Sequence, residues 1–385
     1  MTARLASPVT ALLDRGVDMP HPESVWVAPD VDPERIAPGV VVHPGCRLAG
    51  TRLAAGPGCV IGEEAPATVR DCVLAHGVAL KGGFFEGAVF LDGASMGSAA
   101  HVRPGTLLEE QASGAHAVGF KQTILFPFVT AGSLINFCDI LMAGGTSRKN
   151  HSEVGSSYIH FNFTPQQDKA TASLLGDVAD GVFLDRPPIF LGGQGGLVGP
   201  RRLAFGTVVP AGTVLRRDVR EPGMLAPSEP LRLPEAAPYD PTRVRRLQER
   251  VEANLEYLAN LRALRAWYDQ VRRPRMERDP WRKLAVEAAQ DLLDGAWAER
   301  MKRLEHLVKL ASGQDLAGAD ADVLSAWPEA ARRIRELPEP GAAPDTLLGA
   351  NPEETDPVRW VHGLAESVRT AGRAWLRALV ADVGS

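Results

Sequence analysis

The chain has 385 residues, 45% of them hydrophobic, and a formal net charge of -5. That balance gives no support for a nucleic-acid partner, and no apolar stretch approaches the length needed to span a bilayer. Residues 1–20 lack the apolar core of a signal peptide, and Cys46, Cys59, Cys72 and Cys138 form no CxxC pair, so they read as small buried residues of a cytoplasmic protein.

After a 1–24 N-terminal segment, Ile36, Val42 and Leu48 recur at six-residue steps, with Pro38-Gly39 and Pro44-Gly45 between them. The same unit returns at Val118-Gly119, Val154-Gly155 and Leu197-Val198-Gly199, and it closes in Gly206 to Leu215. A six-residue period fits neither an amphipathic helix nor an alternating strand. It fits a parallel β-helix, in which each short strand sends one aliphatic side chain into a narrow core and Gly or a small polar residue turns the corner. The spacing predicts such a solenoid over 25–220.

Composition changes near Pro227: all 12 Phe lie at or before Phe205, and six of the seven Trp lie at or after Trp267. A Pro-rich linker over 221–240 separates the halves, and 241–385 reads as an α-helical domain. Val244, Leu247, Val251, Leu255, Leu258, Leu261, Leu264 and Trp267 mark a long amphipathic helix that Pro274 and Pro280 break. Further helices are predicted from Trp281 to Ala311, from Ala321 to Leu337 and from Pro357 to Val383. These helices have three places to pack, the solenoid's end, its flank or a neighbouring subunit, and the end is the favoured expectation because an uncapped β-helix exposes core and backbone edges.

One solenoid stretch is too polar for a plain coil: Ser147-Arg-Lys-Asn-His151-Ser-Glu153 and Tyr158-Ile-His160-Phe-Asn162-Phe163. With Val154 and Ile159 inward, His151, Glu153, His160 and Asn162 face outward. A histidine beside a carboxylate is the pairing used in acid–base catalysis, because the carboxylate fixes the tautomer and stabilises the charged ring. The same histidines also suit hydrogen bonds between coils. His151, His160 and Glu153 are also candidate metal ligands, but their spacing is not a strong metal signature and metal dependence stays open. Upstream, Arg103 and Lys121 are cations in otherwise apolar coils and call for an anionic partner, either a phosphorylated ligand or Glu109, Glu110 or Asp139.

From about Ala100 to Val219 the chain resembles the C-terminal acetyltransferase region of the bifunctional N-acetylglucosamine-1-phosphate uridyltransferase/glucosamine-1-phosphate acetyltransferase. The residues that carry the likeness are Arg103-Pro-Gly, Val118-Gly, Lys121-Gln-Thr, Leu134, Asp139, Val154-Gly155, Asn162-Phe163, Gly176-Asp177, Val182-Phe183 and Val209 to Val219. The resemblance implies a left-handed parallel β-helix, a homotrimer, acetyl-CoA or another acyl-CoA as co-substrate, and a sugar phosphate or nucleotide sugar as substrate. It puts Arg103 and Lys121 where the family grips the phosphate, and Asn162 where an active-site Asn-Tyr pair begins. Ser133, Asn136 and Lys169 join them as candidate substrate-binding residues. The family's catalytic histidine falls on Ser133 and its following tyrosine on Asn136, and a substrate-binding asparagine falls on Glu153. Serine takes no proton from an ammonium near neutral pH, so His160 or His151 with Glu153 would have to serve as base. The nucleotidyltransferase region and its Gly-rich loop have no counterpart in the chain.

Gly192, Gly193, Gly195 and Gly196 let a backbone approach a ligand closely and form a candidate acyl-CoA surface, or else a tight corner of the coil. The function expected is an acyl-CoA-dependent acyltransferase. A non-catalytic nucleotide-sugar-binding or scaffold protein of the same fold is the alternative.

Overall fold

The computed structural model describes residues 7–228 and 238–384. Part of the expected linker, 229–237, lies outside the described residues.

The first half is a parallel β-solenoid. Nearly all of its strand pairs are parallel, and partners in successive coils, such as Ser95 and Ser113 or Gly196 and Val214, stand 18 residues apart. Eighteen residues are three hexads, which gives each coil three short sides. Ile36, Val42 and Leu48 are all buried, and their six-residue period is the period of the core. The helix α1 (Ser7–Asp14) packs Val9 and Leu12 at the first coil.

The three sides differ in what covers them. One side is a nine-stranded sheet whose short strands bury only alternate residues, as in Val60–Ile61 and Thr130–Ala131. Another carries Val73–Leu74, Ala88–Phe90 and Thr106–Leu108, in which consecutive residues are buried. A strand that is apolar on both faces needs a second layer over it.

The helical region supplies that layer. It comprises α2 (Val178–Gly181, an excursion from the solenoid), α3 (Leu247–Ala266), α4 (Arg273–Met276), α5 (Pro280–Ala311), α6 (Ala319–Arg335), α7 (Asp345–Leu348), α8 (Pro357–His362) and α9 (Glu366–Gly384). The expectation that these helices cap the open end is corrected: α5 lies on the flank against Val73–Leu74, Ala88–Phe90 and Thr106–Leu108, and α3 lies against Ser173–Leu175. The physical reason is the doubly apolar side, whose outer residues need a second layer over them.

Polar clasps fix α5 along the flank. Asp279 caps it by accepting from the amides of Trp281 and Arg282, and the same carboxylate lies 2.8 Å from His76 Nε2 in the solenoid. Arg282 reaches Asp92 at 2.7 Å. The helix before it does not stop at Pro274, as expected from sequence. It widens into a π turn over Trp267–Arg272 and continues as α4, so the break falls at 277–279. The widened turn brings Tyr268 and Arg272 onto Glu109 and Glu110: the Tyr268 hydroxyl donates to Glu109 at 2.5 Å, and Arg272 binds both carboxylates.

Candidate active site

Two neighbouring strands, Gly119–Leu125 and Asn136–Met142, run in register, with Gly119 opposite Asn136 and Lys121 opposite Cys138. Each is seven residues long and turns a corner of the triangle without losing its pairing. Arg103 lies just past the preceding strand, Ala100–Val102, whose His101 pairs with Gly119. This stacking brings residues about 18 apart in sequence onto neighbouring rungs about 4.8 Å apart.

The result is a cavity of about 230 Å³ lined by Arg103, Lys121, Asn136, Cys138, Asp139, Asn162, Phe163 and Lys169, and by Glu299, Arg300 and Arg303 of α5. Five of the six residues expected to bind substrate (Arg103, Lys121, Asn136, Asn162 and Lys169, but not Ser133) line one cavity.

The alternative partners considered for Arg103 and Lys121 are occupied elsewhere. Glu109 and Glu110 are bound by Tyr268 and Arg272, and Asp139 accepts from Arg300 at 2.8 Å and from the Asn162 amide at 3.3 Å. Among the described residues, no carboxylate lies within ion-pairing distance of Arg103, Lys121 or Lys169. Arg303 is held by Glu299 at 2.7 Å. Three cations without a carboxylate therefore face a small, partly enclosed space, where their attraction for an anion is stronger than on an open surface.

Lys169 arrives through an excursion of the chain. Where an ordinary coil turns in a few residues, 162–172 bulges toward the helices. Asp168 is buried against Arg250, its other oxygen accepts from Thr164 at 2.9 Å, and Asn254 donates to the Ala170 carbonyl at 3.2 Å. Arg300 also donates to the Lys169 carbonyl at 3.2 Å, so α5 and the bulge fix one another.

The other expected site residues go elsewhere. The outward-facing reading of His160 is corrected: Ile159 and Phe161 are exposed and His160 points into the coil, the reverse of the predicted phase. Its Nδ1 bonds the Cys138 carbonyl and its Nε2 lies 2.8 Å from the Ser173 hydroxyl, so both ring nitrogens are used. Burial pushes its pKa down to about 4, and the ring is neutral near pH 7. That excludes it from the groove as a base.

His151 and Glu153 lie on the nine-stranded side, away from the cavity lining. His151 belongs to a small antiparallel hairpin and donates from Nδ1 to the Arg148 carbonyl, while its Nε2 stands 4.0 Å from Glu153. Ser133 also lies outside the cavity lining, three residues before Asn136, with its hydroxyl 2.9 Å from His116 Nδ1.

Gly192, Gly193, Gly195 and Gly196 have a structural explanation in place of an acyl-CoA surface. A Cβ on Gly192 would meet the Ala211 amide at 2.3 Å, on Gly193 the Ser156 carbonyl at 2.7 Å, on Gly195 the Thr213 carbonyl at 2.7 Å, and on Gly196 the Phe161 ring at 2.4 Å. The glycines let neighbouring coils touch.

Sequence reasoning missed Glu299, Arg300 and Arg303. The available signal was Arg300 itself, a charge in the α5 stripe of Leu293, Ala296, Leu304 and Leu307, all of them buried. Among the described residues no group of three or more His, Cys, Asp or Glu is placed to hold a metal ion, and no helix is long and apolar enough to cross a membrane.

No family model matches the chain. Among curated proteins it is similar to the bifunctional protein GlmU of Thermus thermophilus, 32% identical over 161 residues, which is 41% of this chain and 33% of that protein. It is also similar to the GlmU of Trichlorobacter lovleyi, 27% identical over 209 residues, 54% of this chain and 40% of the relative. The GlmU of Kineococcus radiotolerans is 27% identical over 204 residues, 53% of this chain and 37% of the relative. The chain thus spans little more than a third of the length of these curated relatives. The likeness and the β-solenoid are together consistent with a hexapeptide-repeat fold resembling part of these relatives.

Proposed function

We propose that the protein is an acyl-CoA-dependent N-acyltransferase acting on a phosphorylated amino sugar or a nucleotide sugar, working as a cytoplasmic homotrimer. The observation that carries the reading is the convergence of Arg103, Lys121 and Lys169, none of them paired with a carboxylate, with Asn136 and Asn162 around one cavity. In this reading the cations hold the phosphate. Arg103 supplies a planar fork that matches two phosphate oxygens, and Lys121 and Lys169 act as compact charges. Asn162, oriented by its bond to Asp139, presents its remaining amide groups to sugar hydroxyls. The acyl group comes from acetyl-CoA or a related thioester, a co-substrate suggested by the curated relatives.

The helical domain is part of this site. Arg300 and Arg303 form one wall, so the cavity has its present shape only with α5 in place. The test is calorimetric titration with glucosamine 1-phosphate, followed by an assay for thiol release from acetyl-CoA. Saturable binding with turnover supports the proposal, and no binding of any amino-sugar phosphate rejects it.

A non-catalytic binding protein is the second reading. It is favoured by the burial of His160 and by the presence of Ser133 at the position that the resemblance gives to a base. It is distinguished by nucleotide-sugar binding without product from any acyl donor.

A further inference from the structure

Acyl transfer to an amine needs a group that accepts the proton released as the new bond forms. Of the nine histidines, His160 is buried with both nitrogens engaged, and His151 commits Nδ1 to a backbone carbonyl on the other side of the coil. His101 lies against the Phe84 ring, with centroids 5.1 Å apart. His116 differs. Its Nδ1 is 2.9 Å from the Ser133 hydroxyl, and both residues are open to solvent. They sit on successive coils at one corner, where the Leu134 amide donates to the His116 carbonyl at 3.2 Å. Three residues on, the chain enters the paired strands at Gly119 and Asn136, and Asn136 lines the cation-rich cavity. The bend between Ser133 and Asn136, where Leu134 has φ of 59°, thus joins this corner directly to the strand that lines the cavity.

We propose that Ser133 and His116 are the proton-accepting pair of the transfer, an inference that rests on the acyltransferase reading. A hydroxyl hydrogen-bonded to an imidazole is the smallest pairing able to take up a proton in this way. With Nδ1 as acceptor, the neutral ring carries its proton on Nε2 and the Ser133 hydroxyl donates to Nδ1. The acceptor amine attacks the thioester carbonyl carbon and the N–C bond forms. The Oγ proton passes to His116 Nδ1 as the amine proton moves onto Ser133 Oγ in the same step, so the net proton acceptor is the imidazole and serine only relays. The C–S bond then breaks, and the departing sulfur takes the proton back along the same path. The products are the amide and free thiol, and the pair is restored. Ser133 is the catalytic residue and His116 acts through it. The Ser133 amide donates to Ser156 Oγ at 3.2 Å and steadies the corner.

The charged groups bordering the cleft beside His116 are Glu64 and Lys81, bound to each other at 3.1 Å. Arg148, on the hairpin above, is spent on Gln111 O, Phe128 O and Thr130 Oγ1.

The experiment measures steady-state acetyl transfer from acetyl-CoA to glucosamine 1-phosphate against pH, for wild type, His116→Asn, Ser133→Ala and the double variant, with thermal melts of each. Asn keeps an acceptor for the Ser133 hydroxyl but takes no proton, so a merely structural role would leave His116→Asn active. The expected result is a loss of at least about 100-fold in kcat for each single variant, with little further loss in the double. Melting temperatures stay unchanged, and the acid limb of the profile disappears in His116→Asn. Activity of His116→Asn within threefold of wild type, with the acid limb intact, overturns the proposal alone. A wild-type protein that binds the sugar phosphate but transfers nothing removes the acyltransferase reading and this proposal with it.

Discussion

Arg300 of α5 and Asp139 of the solenoid meet at 2.8 Å although 161 residues separate them in sequence, and both side chains are almost completely buried. Asp139 stands at the corner of the coil with φ of 61°, a left-handed conformation that Asp tolerates better than most residues. One of its oxygens takes Arg300 and the other takes Asn162, so a single carboxylate joins the helical domain, the coil and the cavity. Removing one partner strands the other charge away from water, at a cost of about 3–5 kcal/mol. Asp139→Asn is therefore expected to lower unfolding free energy by about that amount in urea denaturation. The double change Asp139→Asn with Arg300→Met should lose less than the sum of the singles.

The three cations facing the cavity without a carboxylate are not holding the fold together. Arg103→Gln and Lys121→Gln should each weaken glucosamine 1-phosphate binding by about tenfold or more in calorimetry, the loss of one charge-assisted hydrogen bond. Melting temperatures should not fall. Arg303→Gln, from the helical wall, should cost less, because Glu299 already shares that charge at 2.7 Å.

The solenoid was legible because its signal is steric and local. Ile36, Val42 and Leu48 repeat with the period of the coil, and a residue that turns a corner reads the same wherever it occurs. Arg103 and Lys121, 18 residues apart, stack for the same reason, whereas Asn162, 41 residues past Lys121, is grouped with them through the family resemblance. His160 could not be placed, because the short strand Ile159–Phe161 reads equally well in either phase and only its packing against Cys138 and Ser173 decides which side turns inward. Glu299, Arg300 and Arg303 were out of reach for a different reason. Where a helix docks on the flank depends on distant pairs such as His76 with Asp279, which no local pattern encodes.

His160 gives the fold an acid-sensitive point. Burial lowers its pKa from 6.5 to about 4, so between those values the unfolded chain binds a proton that the folded chain refuses. Its stability contribution is complete above about pH 6.5 and is lost as pH falls toward 4, amounting to about 3 kcal/mol. His160→Gln should flatten that stretch of a stability-versus-pH curve from denaturant melts, whatever it does to stability at pH 8.

Glu109 works in the opposite direction. Burial raises its carboxyl from 4.5 to about 7 despite the opposing pull of Arg272. The folded state therefore holds a proton that the unfolded state releases, and stability declines as pH rises from about 4.5 to 7. Glu109→Gln, which keeps a hydrogen-bonding side chain beside Tyr268, should remove this decline, leaving the variant relatively more stable at pH 8 than at pH 5 by the same melts.

The most direct measurement is release of free thiol from acetyl-CoA in the presence of glucosamine 1-phosphate, comparing wild type with the Arg103→Gln/Lys121→Gln double variant. Thiol release that requires both substrates and is lost in the folded double variant is the predicted result. Release indifferent to the two cations, or none from wild type with any amino-sugar phosphate, would contradict the account.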